Sequence, residues 1–280
     1  MSLPRYYTVP LSILLTLFSW HCHKGDPPAT TTGSGTGTPP DTVLFNSPVT
    51  YTGVCIGNSI MEGFPRHVSG LYLADLAIGD AAGQPAYILT QLTGFQWFDR
   101  GWAGQTTDQI RARFLRDAIG DSSDPGDGRG PVTLSQKPNY VVMEGGVNDI
   151  KADVPLDTIE ANLAWMASTL KQNNIHCIVL NCIGEGNGLF TQNQTDQVFA
   201  LNAWLASGAL DSVETTIVDI NSLWNSGTYG AVSVYGNDNI HYSSLVWPED
   251  GIHFTPTGYN AMALAIFQVA KLAMTFKFVR

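Results

Sequence analysis

The sequence predicts an α/β protein: a three-layer α/β/α sandwich on a mainly parallel central sheet of about five strands. Three observations carry this prediction. From Val49 onward, short β-rich runs alternate with segments of helical period, the pattern of strand, crossover helix and next parallel strand. All but one of the strand candidates are near-continuous apolar runs, as expected of strands covered on both faces. The clearest intervening segment repeats Ile159, Leu163, Met166 and Leu170 at spacings of four, three and four, which is one stripe of a helix.

The strand candidates, in order, are Tyr51 to Ile56, Phe95 to Asp99, Tyr140 to Met143, His176 to Asn181 and Thr215 to Ile220. A helix from about Asp108 to Ile119 directs Ile110, Phe114, Leu115 and Ala118 inward and leaves Arg111, Arg113 and Arg116 on a solvated side. Gly120 to Lys137 is rich in Gly, Asp, Ser and Pro and reads as a surface loop. Pro155 opens the next helix and Asn173-Asn174 ends it. The closing helix runs from about Pro256 to Ala273 with Thr255 as N-cap, and turns Met262, Ile266, Val269, Ala270 and Met274 to the sheet. The chain shows no internal repeat.

Composition excludes some partners. Over 280 residues, Lys+Arg 14 against Asp+Glu 24 gives a net charge of −10, and no basic cluster offsets it, so a nucleic-acid partner is not expected. Residues 1–22 read as an export signal: Arg5 precedes an apolar stretch, Val9 to Trp20, that is too short to span a bilayer. Cys22 closes that stretch and resembles the lipidation site of bacterial lipoproteins, although His21 stands where those have a small residue. The other reading is plain secretion with cleavage nearby. Either reading places the protein outside the cytoplasm, anchored in the cell envelope or secreted. Residues 23–42 are mostly Thr, Gly, Pro and Ser with almost nothing to bury, a flexible tether, and residues 43–280 form the folded domain. Cys55, Cys177 and Cys182 lie in apolar runs. On one strand Cys177 and Cys182 would stand about 16 Å apart, too far to bridge, and the spacing does not suggest zinc, so buried free thiols are expected.

The candidate chemistry gathers at one edge. In open parallel sheets, ligands bind outside the carboxyl ends of the strands. Ser59, in Gly57-Asn58-Ser59-Ile60-Met61-Glu62-Gly63, follows the first strand; Gly104 follows the second; Asn148 follows the third; and Asp250-Gly251-Ile252-His253 immediately precedes the last helix. A serine hydroxyl is a weak nucleophile, and acyl transfer needs an imidazole to take its proton and a carboxylate to orient that imidazole. Alone, the serine segment reads as a turn and Asp250-x-x-His253 as a helix cap beside a surface histidine. Four blocks taken together, GxSxxxG at Gly57, RGxxGxTT at Arg100, GGxND at Gly145 and DGxH at Asp250, resemble the SGNH hydrolases, also called GDSL esterases and lipases, over nearly all of the chain after the tether.

That resemblance implies a flavodoxin-like sandwich, a serine esterase activity and no metal or organic cofactor. It implies Ser59 as nucleophile, His253 as base and Asp250 as orienter, with an oxyanion hole from the amides of Ser59 and Gly104 and the side chain of Asn148. The chain departs from the family at Asn58, where aspartate is usual, and at Asp99, where asparagine is usual; an exchange of this kind can conserve a pairing between the two. The partner expected is an ester, most simply an acetylated polysaccharide, with Trp102 and Trp247 near the crevice as sugar-stacking candidates or as loop packing. A lipase or lysophospholipase is the alternative enzyme, and a noncatalytic carbohydrate-binding protein is the alternative class. Glu144 and Glu185 read as loop-edge residues able to line the cleft, Asp149 as a cap for the segment that follows it, His67 and His241 as surface residues, and His176 as a strand-start residue that caps or faces solvent.

Overall fold

The computed structural model describes residues 51–64, 67–68, 71–72, 84–121, 123, 137–184, 190–210, 215–224, 245–246 and 251–277. The expected export signal with Cys22, the expected tether, most of the Gly120 to Lys137 segment, Glu185, His241, Trp247 and Asp250 lie outside these residues. The strands are β1 (Thr52–Gly57), β2 (His67–Val68), β3 (Leu71–Tyr72), β4 (Gln96–Gly101), β5 (Tyr140–Met143), β6 (His176–Leu180) and β7 (Thr215–Val218). The helices are α1 (Ser59–Glu62), α2 (Pro85–Thr93), α3 (Thr107–Ala112), α4 (Val147–Lys151), α5 (Leu156–Gln172), α6 (Gln192–Ala206), α7 (Ile220–Trp224) and α8 (Pro256–Lys277).

Five strands form the central sheet in the order β4-β1-β5-β6-β7, every pair parallel. The five expected strands are these five, with ends shifted by no more than two residues. Among them the spatial order is second, first, third, fourth, fifth, so the chain reverses its direction of travel across the sheet at β1. In open parallel sheets such a reversal, here outside the carboxyl ends of β1, β4 and β5, is where ligands bind. Helices α2, α7 and α8 pack on one another, as do α3, α5, α4 and α6, which supplies the two helical layers. The apolar run of each inner strand follows from this cover: Val54, Cys55, Ile56, Val141, Val142, Met143, Ile178 and Val179 are all fully buried.

Helix α5 forms where the stripe places it. Ile159, Leu163, Met166 and Leu170 are 0–1% exposed, and burying such side chains contributes about 1.5–3 kcal/mol each, more than the propensity differences along the helix. Pro155 is its N-cap rather than its first residue. Helix α8 begins as expected, with Thr255 Oγ1 accepting the Gly258 amide at 3.2 Å and Met262 and Ile266 fully buried.

Three expectations are corrected. The segment from Asp108 to Ile119 is not one helix: α3 ends at Ala112 and a wider π-type turn spans Leu115–Ile119. The break coincides with Arg113, which is 2% exposed rather than solvated, and a π-turn changes the direction of the residues that follow. His176 is buried as well, bonded through Nε2 to Thr216 Oγ1 at 3.0 Å and packed edge-on against Tyr140. The cysteines behave as expected: all three are buried free thiols, and burial pushes the Cys177 thiol up to about 12.

Close packing at the sheet's edge strand gives a direct test. A Cβ at Gly53 would stand 2.2 Å from the indole of Trp97, which is 1% exposed and donates from Nε1 to Thr93 Oγ1 at 3.0 Å. Overpacking of this kind costs about 1–3 kcal/mol. Gly53→Ala is expected to lower the unfolding midpoint and shift Trp97 fluorescence; a wild-type midpoint would show that this edge can relax.

Candidate active site

The loop after β1 turns directly into α1, so Ser59 is the first residue of a four-residue helix. Asn58 caps it: Oδ1 accepts the Ile60 amide at 2.9 Å. Gly63 closes it in the left-handed region at φ 75°, a conformation that costs glycine little. Two further glycines let this helix sit against the strand ends. A Cβ at Gly101 would lie 2.0 Å from the Glu62 amide nitrogen, and one at Gly57 would lie 2.6 Å from Met61 and 2.8 Å from the Glu144 carbonyl oxygen.

His253 reaches Ser59 from the other end of the sequence. Its Nε2 lies 2.8 Å from Ser59 Oγ, within reach for direct proton transfer. The segment carrying it is held on both sides. Phe254 bridges to Val246, the Thr255 amide donates to the Leu245 carbonyl at 2.7 Å, and a Cβ at Gly258 would meet that carbonyl oxygen at 2.1 Å. The imidazole also packs edge-on against Phe64 with ring centroids 4.8 Å apart, and Tyr259 fixes Phe64 by donating its hydroxyl to the Phe64 carbonyl at 2.6 Å. Asp250 lies outside the described residues.

The loop that carries Gly104, the expected oxyanion donor, follows β4. Gly104 adopts φ 78° and is exposed, as is Ala103. Asn148, in the first turn of α4, donates from Nδ2 to the Gln105 carbonyl at 2.9 Å. That bond uses one of the two amide protons and fixes the plane in which the other points. Thus Ser59 and His253 are in contact, and Asn148 is bonded to the residue beside Gly104. Trp102 is half-buried at the root of the same loop, its amide donating to the Gly57 carbonyl at 3.0 Å. Backbone amides and a neutral side-chain amide of this kind can stabilise an oxyanion without titrating.

Several residues that hold the site carried no clear sequence signal. Arg113 donates from Nη2 to the Gly57 carbonyl at 3.0 Å, from Nε to Gln105 Oε1 at 2.7 Å, and pairs through Nη1 with Asp117 at 2.9 Å. It stitches the end of β1 to the loop after β4, and removing either partner of this buried pair would strand a charge. Asp149 is fully buried, and its carboxylate, which accepts its own backbone amide in the first turn of α4, also reaches another helix. It accepts the Thr107 amide at 2.9 Å and the Thr107 hydroxyl at 2.6 Å, so it caps α3 from helix α4. Burial raises its pKa against those hydrogen bonds. The two departures from the family pattern do not pair with each other. Asn58 Nδ2 donates to Glu144 Oε1 at 3.2 Å, whereas Asp99 accepts from Gln84 Nε2 and from the Gly101 amide.

Glu144 is likewise inside the structure, 1% exposed, rather than on a loop edge lining the cleft. Burial pushes its carboxyl up from 4.5 to about 8, with the Asn58 bond lowering it and the nearby Asp149 charge raising it further. Its Oε2 has no hydrogen-bond partner among the described residues, which a neutral acid tolerates better than an anion. The folded chain therefore holds a proton that the unfolded chain releases near 4.5. Stability from this group is fully present below that value and is lost as pH rises to about 8. Glu144→Gln, which mimics the neutral acid, is expected to flatten that decline and to stabilise the fold by about 1–3 kcal/mol at neutral pH. Urea unfolding of both proteins across this range checks it, and an unchanged slope would mean that Glu144 is ionised when folded.

The profile of the GDSL-like lipase/acylhydrolase family matches residues 55–261, a span that includes Ser59, Gly104, Asn148 and His253. No curated protein matches the chain. Among solved structures, a GDSL-like lipase from Bacteroides thetaiotaomicron is 22% identical, with a TM-score of 0.52 over 79% of this chain and 88% of that one. An acetylxylan esterase from Geobacillus stearothermophilus is 17% identical, with a TM-score of 0.52 over 78% of this chain and 93% of that one. A protein of the G-D-S-L family from Desulfitobacterium hafniense is 19% identical, with a TM-score of 0.53 over 79% and 99%. These likenesses show a shared fold. Matched over most of its length, the chain belongs to the GDSL-like lipase/acylhydrolase family and is a carboxylic ester hydrolase.

Proposed function

We propose that the chain is an exported serine esterase that removes short acyl groups, most simply acetyl, from carbohydrate. The observation that carries the mechanism is the 2.8 Å contact between Ser59 Oγ and His253 Nε2. Ser59 Oγ attacks the ester carbonyl as His253 takes its proton, and the tetrahedral oxyanion is received by the amides of Ser59 and Gly104 and by Asn148 Nδ2. Collapse of that intermediate breaks the bond to the alcohol, which leaves with the proton from His253. Water then attacks the acyl-enzyme by the same route in reverse, releasing the acid and restoring Ser59. Asp250, three residues before His253, is assigned as the carboxylate that holds the imidazole's tautomer.

The carbohydrate reading rests on Trp102, half-buried beside the exposed donor loop, where an aromatic face can stack on a sugar ring. Trp247, three residues before Asp250, is assigned the same role. The likeness in fold to an acetylxylan esterase supports the same direction. We assign residues 1–22 as the export signal, residues 23–42 as a tether and Cys22 as a lipid anchor, on the sequence order of apolar run, cysteine and Thr/Gly/Pro-rich stretch.

Three experiments test these assignments. Ser59→Ala is expected to lower turnover of a short activated ester by about 10,000-fold or more with an unchanged unfolding midpoint; wild-type turnover would remove Ser59 as nucleophile, and a wild-type protein without turnover that bound glycans would make it a binding protein. Acetate release from acetylated xylan, measured beside fatty-acid release from lysophospholipid, separates the substrate classes, and activity on the lipid alone would overturn the carbohydrate reading. For the anchor, labelled fatty acid is expected to be incorporated into the full chain and lost in Cys22→Ala; no incorporation in either leaves plain secretion.

A further inference from the structure

Glu62 stands at the end of the helix that Ser59 begins and is 5% exposed. Its Oε2 accepts the Ala103 amide at 2.7 Å, the amide immediately before that of Gly104. On the other side of Gly104, the Gln105 carbonyl accepts from Asn148 at 2.9 Å. The glycine is therefore bracketed, with its preceding residue held by Glu62 and its following residue held by Asn148. Packing alone does not hold it: a Cβ built at Gly104 would meet nothing within 4 Å. The strand leading into the loop is pressed against Glu62 itself, since a Cβ at Gly101 would lie 2.0 Å from the Glu62 amide nitrogen.

We infer that Glu62 is a positioning residue for the oxyanion hole, an internal acceptor that sets the direction of the Gly104 amide by holding Ala103. The inference rests on the assignment of Ser59 and Gly104 under the proposed function. Because Glu62 and Ser59 share one short helix, the group that attacks and the loop that stabilises the resulting charge are fixed to the same rigid piece. What Glu62 supplies is an oxygen at a given reach, not a charge at the reacting atoms. Glutamine keeps that oxygen at the same reach, whereas aspartate keeps the charge and withdraws the oxygen by one methylene.

Steady-state hydrolysis of p-nitrophenyl acetate by Glu62→Gln, Glu62→Asp and Glu62→Ala tests this in the full chain, with rates normalised to titrated active sites. Glu62→Ala and Glu62→Asp are expected to lose about 10- to 100-fold in kcat with KM changed less than about threefold, while Glu62→Gln stays within about threefold of wild type. A small alkyl boronic acid, which forms a tetrahedral adduct on the serine, is expected to bind the alanine and aspartate variants more weakly by a similar factor. Loss of folded protein alone would move neither measure per active site. Wild-type kcat in Glu62→Asp, or equal losses in Glu62→Gln and Glu62→Asp, would overturn the inference. If Ser59→Ala retained activity the underlying assignment would fail instead, and if Ser59→Ala were inactive while all three Glu62 variants were normal, only this inference would fail.

Discussion

The contact on which this structure depends is the seating of a four-residue helix, Ser59–Glu62, on the carboxyl ends of β1 and β4. It is possible only because Gly57 and Gly101 carry no Cβ, the nearest helix atoms lying 2.6 Å and 2.0 Å from where one would stand. Such approach brings the serine's helix within reach of everything else. Glu62 then touches Ala103, Gly57 and Trp102 share a backbone bond, and Arg113 ties the Gly57 carbonyl to Gln105. His253 completes the arrangement from a segment almost 200 residues later, held by Phe64 just beyond the helix.

The interior beneath this contact is acidic. Glu62, Asp99, Asp117, Glu144 and Asp149 are all at most 5% exposed, so the formal charge of −10 overstates what the surface presents. Three of these carboxyls serve as acceptors for backbone amides of short helices and tight loops, and Asp117 pairs with Arg113. Asp149 serves Thr107, Glu62 serves Ala103 and Asp99 serves Gly101. A carboxyl is suited to this because it offers two oxygens and no competing donor when ionised. Glu144 differs, since burial and the neighbouring Asp149 charge favour its neutral form.

The sheet was legible because its information is local. Apolar runs at Val54, Val141 and Ile178 state burial on both faces whatever surrounds them, and four short blocks fixed the order of the site residues. Helix α6 was not legible, because two positions on its buried face are Gln194 and Thr195, which mask the apolar period; the capping pair Thr191 and Gln194 was the available signal. Arg113 was misread for a related reason. Spacing says which face of a helix a residue occupies, but α3 ends at Ala112 and Arg113 is its C-cap, and the fate of an arginine is decided by partners distant in the fold, here Gly57 and Gln105. Glu62 had no period to belong to, and its meaning lies in a loop 41 residues on.

The same reasoning accounts for Asn58. Its side chain has two tasks at once: Oδ1 accepts the Ile60 amide that opens the serine's helix, and Nδ2 donates to Glu144. An ionised aspartate could perform only the first, and would turn an anionic oxygen toward a buried carboxyl with no solvent to separate them. The pair would then need to share a proton. Asparagine avoids this, since a neutral amide and a neutral acid satisfy each other without either being ionised. The residue that goes with the departure at position 58 is therefore Glu144, at the end of β5, and not Asp99, whose partners Gln84 and Gly101 form a separate support on the other side of the serine's helix. Each departure answers to its own buried neighbour, which is why the two cannot be read as one exchange.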